Sequence, residues 1–162
     1  MQKDPPVRKS NRLQGYDYAQ AGYYFVTICV KDNRKLLGDI VANSNPPCIN
    51  LSEIGLMVEA AINAIPTHYP QIMVDKYVIM PNHVHMILVV QTGTDGRLLI
   101  ASTSISAVVK QLKSRVSKQA GFAVWQRSFH DHVIRDDIGY RRIWQYIEDN
   151  PAKWAEDRYY VQ

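Results

Sequence analysis

The chain of 162 residues has the length of a single domain, and its 46% hydrophobic and 21% charged residues are typical of a folded globular protein. Its net charge of +4 permits nucleic-acid binding without demonstrating it. No apolar run is long enough to span a membrane, and we expect no signal peptide in the opening MQKDPPVRKSNR. Cys29 and Cys48 form no CxxC pair, which excludes a zinc ribbon and favours a reduced, cytoplasmic setting.

The first half of the chain predicts an arm, a strand, a hairpin and a helix. Residues 1–20 are polar and basic and are interpreted as an N-terminal arm, followed by a single domain at residues 21–162. Residues 23–30 are β-branched and aromatic, which predicts a strand. A hairpin is expected at 36–41 and 48–51, and apolar residues at helical spacing predict a helix at 52–67 with Asn50 or Ser52 as its N-cap.

The second half predicts two strands, at 72–80 and 83–91, separated by the turn signal Pro81-Asn82. The pattern then predicts, in order, a loop at 92–96, an amphipathic helix at 102–119, a partly extended segment at 123–135, a helix at 138–150 and a last helix at 152–159. Hairpins interleaved with helices favour an α+β fold with the helices on one face of the sheet. The chain lacks the glycine-rich phosphate loop of nucleotide-binding folds.

Two histidines interrupt the apolar run YVIMPNHVHMILVV. His83 and His85 are two residues apart, so in a strand their imidazoles point to the same face and can hold one cation. The alternative is a pair of partly exposed strand histidines with polar neighbours. His130 and His132 have the same spacing, with Asp131 expected to face the opposite way, and could also bind a metal.

A tyrosine and an asparagine share one face of the predicted helix in YRRIWQYIEDNP. Tyr146 and Asn150 are four residues apart, so a phenol and an amide oxygen can meet at one cation site. Tyr140 is six residues before Tyr146 and lies on a different face. The alternative is that Tyr146 is a core tyrosine and that Asn150 only ends the helix before proline.

Three blocks of the sequence together resemble a known family. PNHVHMI is similar to the HUH signature of histidine, bulky apolar residue, histidine. WQRSFHDHVIRD followed by YRRIWQYIEDNPAKW resembles the C-terminal block of the REP-associated tyrosine transposases, relatives of single-tyrosine insertion-sequence transposases. The opening RKSNRLQGYDYAQAGYYFVTICV is also similar to that group, and the resemblance covers the chain from about Arg8 to Trp154.

The resemblance implies a ferredoxin-like antiparallel sheet with helices packed on it. It also implies a metal-dependent endonuclease and strand transferase that cuts single-stranded DNA near hairpins through a covalent 5′-phosphotyrosine. By position, Tyr146 matches the nucleophile, and His83, His85 and Asn150 match the metal ligands. Mg²⁺ or Mn²⁺ is expected from the resemblance, not from the ligand types. Insertion-sequence relatives are dimers, and both a monomer and a homodimer stay open for this chain.

Basic residues on three predicted elements are candidates for contacts with DNA phosphates. The alternative is that the charged residues on the helices only form ordinary solvent-exposed faces. The candidates are Lys9 and Arg12 in the arm, Lys110, Lys113, Arg115 and Lys118 in the helix at 102–119, and Arg141 and Arg142 in the helix at 138–150.

Three other functions stay open beside the strand transferase. One is a non-catalytic protein that binds DNA hairpins, and another is a nicking enzyme of the rolling-circle type. The third is a metallohydrolase that uses His83 and His85 together with His130 and His132, and it alone would keep its activity in Tyr146→Phe.

Overall fold

The computed structural model of the chain describes residues 15, 17, 20–91 and 104–161. Most of the predicted arm, with Lys9 and Arg12, and the predicted loop at 92–96 lie outside these residues. No helix in the described part combines the length and apolarity needed to cross a membrane.

The described elements form an antiparallel sheet with helices packed on it, as the sequence predicts. The helices are α1 (Glu53–Asn63), α2 (Ile65–His68), α3 (Ile105–Ala120) and α4 (Asp137–Asp149). The strands are β1 (Gly22–Cys29), β2 (Gly38–Val41), β3 (Cys48–Leu51), β4 (Ile72–Ile79), β5 (His83–Val90) and β6 (His130–Ile134). Four strands make the main sheet in the order β4-β5-β1-β6, and β2 and β3 pair separately. Every neighbouring pair is antiparallel, which confirms the α+β class.

The helices cover both faces of the sheet, and the expectation that they cover one face is wrong. All eight residues of β5 are buried, so both sets of alternating side chains need a cover. On one face, Met86 packs in a core that includes residues of α1 and α3. On the other face, Ile87 packs with Ile147 of α4. We call these surfaces the α1/α3 face and the α4 face.

Side-chain caps fix where the three longer helices begin. Ser52, rather than Asn50, accepts a hydrogen bond from the Gly55 backbone N–H at 3.1 Å and starts α1. Ser104 caps α3 in the same way. Asp136 accepts from Gly139 N–H at 2.6 Å and starts α4 one residue before the predicted start. These caps set the register of the helix that carries Tyr146.

The predicted last helix at 152–159 is wrong, because only a 3-10 turn at Trp154–Glu156 forms there. Asp157 then adopts an extended backbone and its carboxylate accepts a hydrogen bond from the Tyr159 backbone N–H at 2.7 Å. A side chain that bonds its own backbone two residues on competes with a helix at that position. The segment therefore leaves the helical path after Glu156.

Candidate functional site

His83 and His85 lie side by side on the α4 face of β5. Their ring centroids are 4.4 Å apart, and the two residues are 0% and 1% exposed. A polar neighbour holds each ring through its Nδ1 atom. The distance is 2.8 Å from His83 Nδ1 to Asn82 Oδ1 and 2.8 Å from His85 Nδ1 to Thr27 Oγ1. These contacts fix the ring orientations and aim both Nε2 atoms into the space beneath α4.

One nitrogen and one oxygen of this cluster are buried without a hydrogen-bond partner in the described part of the chain. They are His83 Nε2 and Asn150 Oδ1. An amide oxygen only accepts, so His83 Nδ1 carries the ring proton and Nε2 presents a lone pair. Two buried lone pairs without a donor are costly unless a cation or another donor meets them. The pair therefore fits a bound cation.

Helix α4 brings Tyr146 and Asn150 to the two histidines. The Tyr146 hydroxyl lies 3.2 Å from His85 Nε2, while Asn150 is 2% exposed at the end of the helix. Tyr146 is 38% exposed and lines an open cavity beside the cluster. The structure thus brings together the four residues that the sequence singles out, two from β5 and two from α4.

Asp157 is a member of the cluster that the sequence reasoning missed. Its Oδ2 accepts hydrogen bonds from the Tyr146 hydroxyl at 3.1 Å and from Asn150 Nδ2 at 2.8 Å. Ligand atoms of His83, His85 and Asp157 all lie within 4.8 Å of one another. The sequence predicts a helix at 152–159, and because that helix does not form, no spacing rule places the Asp157 carboxylate beside the histidines.

The donors in this cluster fit a divalent cation. Two imidazole nitrogens, a carboxylate oxygen and an amide oxygen are available from His83, His85, Asp157 and Asn150. Imidazole suits transition metals, and carboxylate and carbonyl oxygens suit Mg²⁺ and Mn²⁺. His130 and His132 do not belong to any group of three or more such donors in the described residues. The geometry therefore gives no support to a metal centre that uses all four histidines.

Burial sets the protonation of the site. It lowers the pKa of His83 to about 4, against the opposing effect of Asp157. Burial, and then the neighbouring His83, holds the pKa of His85 well below its ordinary value. Both rings are therefore neutral at neutral pH, the state in which they can bind a metal. Burial, and then the charge of Asp157, raises the pKa of Tyr146, so its hydroxyl keeps its proton.

The hydroxyls of two other tyrosines on the α4 face are engaged elsewhere. The Tyr140 hydroxyl donates to Asp75 at 2.7 Å, which raises the pKa of Tyr140 to about 12. The Tyr159 ring lies 4.6 Å from the His83 ring, but its hydroxyl forms a hydrogen bond with Cys29. Tyr146 is thus the tyrosine whose oxygen contacts the histidine and carboxylate cluster.

The described basic candidates fall on two different faces. Exposed Lys110, Arg115 and Lys118 lie on α3, which belongs to the layer across the sheet from Tyr146. Lys113 is half-buried and donates to the Ser128 carbonyl at 3.1 Å, so its ammonium is engaged within the chain. Arg141 and Arg142 are exposed on α4, the same helix as Tyr146.

Comparisons with known proteins found relatives across most of the chain, although no family model matches it. An uncharacterized protein of Haemophilus influenzae is 34% identical over 95% of this chain and 93% of its own length. A REP-associated tyrosine transposase of Escherichia coli is 25% identical over 84% of this chain and 70% of its own length. The fold matches a solved REP-associated tyrosine transposase bound to a REP hairpin, with a TM-score of 0.66 and 22% identity, covering 94% of this chain and 77% of that one.

Proposed function

We propose that the chain, a relative of the REP-associated tyrosine transposases, cleaves and rejoins single-stranded DNA next to hairpins through a covalent bond to Tyr146. One observation carries the proposal. The hydroxyl of Tyr146, a partly exposed residue, contacts His85 and Asp157 beside two buried lone pairs that have no hydrogen-bond partner in the described residues. A nucleophile adjacent to a base and to a cation site is the arrangement that transesterification needs.

The proposed step exchanges one phosphodiester for another. The Tyr146 oxygen attacks the scissile phosphorus, forming an O–P bond as the bond from phosphorus to the 3′-oxygen breaks. The phenol proton passes to Asp157 Oδ2, which already accepts a hydrogen bond from that hydroxyl, and the leaving 3′-oxygen takes up a proton and becomes a free 3′-hydroxyl. The 5′-phosphate stays on Tyr146, and another 3′-hydroxyl can reverse the step and join new ends. No external energy source is required.

His83, His85, Asp157 and Asn150 are the residues that would hold a divalent cation, Mg²⁺ or Mn²⁺. When bound, such a cation offsets negative charge at the phosphate and the phenolate. The chain itself does the positioning: Thr27 and Asn82 orient the imidazoles, and α4 holds Tyr146 beside them. Asp157 orients the Tyr146 hydroxyl and the Asn150 amide together.

The proposed partner is a hairpin in single-stranded DNA, and the solved relative is bound to a REP hairpin. Arg141 and Arg142 are the proposed phosphate contacts nearest in the chain to Tyr146. Other proposed phosphate contacts are Lys110, Arg115 and Lys118 on α3, together with Lys9 and Arg12 in the arm. Lys113 contributes little while it donates to backbone carbonyls.

A labelled-DNA assay tests the proposal. The substrates are single-stranded hairpins from the gene's own genomic neighbourhood, incubated with Mn²⁺ or Mg²⁺ and run on a denaturing gel. We expect label on the 5′-phosphate side of the cut to move onto the protein. The adduct should disappear in EDTA and in Tyr146→Phe, with DNA binding retained.

Tyr140→Phe is the matched control for the assay, because it removes a tyrosine hydroxyl from the same helix outside the cluster. It should form the adduct at the rate of the unchanged protein. Cleavage that survives in Tyr146→Phe would identify a metallonuclease instead. Tight hairpin binding without cleavage under any metal would identify a non-catalytic binding protein.

A further inference from the structure

A cavity of about 430 Å³ opens beside Tyr146. This volume falls within the range of small-molecule pockets, roughly 300–1,000 Å³. His85 and Tyr146 form the side nearest the cation cluster, and Phe25, His130, His132, Arg158 and Tyr159 contribute to the rest. The cavity thus extends from the reacting hydroxyl toward β6, the edge strand of the sheet.

The strand register explains why the second histidine pair lies here. β6 pairs with β1 so that His130 is opposite Thr27 and His132 is opposite Phe25. Thr27 contacts His85, so all four of these side chains share the α4 face. Asp131 also borders the cavity, but it lies opposite Val26, and its side chain therefore points to the α1/α3 face.

Arg158 places a positively charged guanidinium at the cavity. Its guanidinium carbon lies 5.1 Å from the centre of the Tyr159 ring, an arrangement that fixes the charge over an aromatic face. Arg158 is exposed and forms no ion pair with any described residue. A guanidinium that forms no ion pair among the described residues, lining the same cavity as the exposed His132, is suited to a phosphate group.

Aromatic rings in the lining of the cavity provide surfaces on which a base can stack. Phe25 lies edge-on to Tyr146, with ring centroids 6.2 Å apart, and Tyr159 lies beneath Arg158. Aromatic side chains beside a basic groove stack unpaired bases, and this contact tolerates any sequence because every base has a π-face. The lining therefore combines a phosphate site and a stacking site within one small volume.

We propose that this cavity binds the nucleotide next to the scissile phosphate of single-stranded DNA, with Arg158 and His132 on its phosphate and Phe25 and Tyr159 against its base. The inference rests on the proposed function and extends it, because it assigns a role to His132, which the cation cluster leaves out. In this role, Arg158 and His132 hold the strand so that the phosphate lies in reach of Tyr146.

Calorimetric titration with deoxythymidine 3′,5′-bisphosphate tests the subsite on the full chain in EDTA, where no cleavage occurs. We expect binding that weakens about tenfold in Arg158→Gln and measurably in His132→Gln, since each change removes a charged or polar contact with phosphate. Arg135→Gln and His68→Gln make the same changes at exposed residues that do not line the cavity, and they should bind as the unchanged protein does. Thermal melting checks that each variant folds.

Two outcomes overturn the subsite. One is the absence of nucleotide binding, or binding that Arg158→Gln and His132→Gln leave unchanged. The other is inorganic phosphate that binds as tightly as the nucleotide, which would make the cavity an anion site without a base. If the nucleotide binds as expected but the protein never forms a DNA adduct, the result would support the subsite and contradict the proposed function.

Discussion

At the residue scale, the site depends on the neighbours that orient each imidazole as much as on the imidazoles. Thr27 reaches His85 from the adjacent strand, and Asn82 reaches His83 from the turn before β5. Groups that fix a ligand's ring orientation typically change metal affinity by about 10–100-fold when they are removed. The same contacts determine which ring nitrogen is left for a cation.

Thr27→Val tests this orientation, because it replaces a hydroxyl with a methyl group of similar size. We expect Mn²⁺ binding to weaken by about 10–100-fold, since the His85 ring loses the partner of its Nδ1 atom. Mn²⁺ titration followed by electron paramagnetic resonance measures the change. Thr67→Val, at an exposed position on α2, is the control and should bind Mn²⁺ normally. Equal affinity in the two variants would show that Thr27 does not orient a metal ligand.

The lowered pKa values of the two histidines predict a pH-dependent stability of the metal-free protein. The unfolded rings gain protons near pH 6.5, but burial lowers the pKa of His83 to about 4 in the folded chain. Above pH 6.5 neither state is protonated and the two rings add no pH dependence. As the pH falls from 6.5 to about 4, the free energy of unfolding should fall, by about 3 kcal/mol for His83 alone.

Urea unfolding in EDTA across this pH window measures the effect. His83→Gln cannot gain a proton and should lose a large part of the dependence, whereas His68→Gln, at an exposed position, should keep it. A His83→Gln protein with the full pH dependence of the unchanged chain would contradict the assignment.

The spacing of residues predicts four members of the cluster and misses the fifth. His83 and His85 share a face because a strand repeats every two residues, and Tyr146 and Asn150 share one because a helix turn is about 3.6 residues. Asp157 reaches the site through an irregular segment after Pro151. No periodic pattern describes such a segment, so the sequence offered no means of placing its carboxylate.

At the element scale, β5 determines how the helices are distributed. An alternating strand needs a cover on one face, but β5 is apolar on the α1/α3 face and carries Ile87 and Val89 beside the histidines on the other. This pattern was visible in HVHMILVV and argues for two layers of helices. The order of elements identified the antiparallel class correctly, but it does not specify the side on which α4 packs.

Within strand β6, the buried carboxylate of Asp131 lowers the stability of the fold. Both of its carboxylate oxygens are buried without a hydrogen-bond partner in the described part of the chain, opposite Val26. Asp131→Val should raise the free energy of unfolding by about 1–3 kcal/mol, because it removes the cost of burying that polar group. Chemical denaturation measures the gain. Asp39→Val, at an exposed carboxylate on β2, is the comparison and should change stability little.

An Asp131→Val protein that unfolds more easily than the unchanged chain would contradict this prediction. It would mean that the carboxylate meets a donor on the α1/α3 face.

At the scale of the whole molecule, the sheet separates two sets of basic residues. Arg141 and Arg142 are on α4 with Tyr146, whereas Lys110 and Lys118 are on α3 in the opposite layer. A strand held for attack by Tyr146 must run over the α4 face. We therefore expect the two α4 arginines to contribute more to DNA binding than the two α3 lysines.

Salt dependence of hairpin binding separates the two sets. Replacing both α4 arginines with glutamine should lower the slope of log affinity against log salt by about 0.7 per lost single-strand contact. Replacing both Lys110 and Lys118 with glutamine should lower this slope by less. A slope that falls only in the lysine variant would place the DNA on the α1/α3 face and contradict this arrangement.

Peptide mapping of the adduct identifies the residue that becomes linked to DNA, which we expect to be Tyr146. The adduct formed with a hairpin substrate and Mn²⁺ is digested with protease and nuclease, and the modified peptide is sequenced by tandem mass spectrometry. We expect a nucleotide 5′-phosphate on Tyr146. Attachment to Tyr140 or Tyr159, or cleaved DNA with no modified tyrosine, would contradict it.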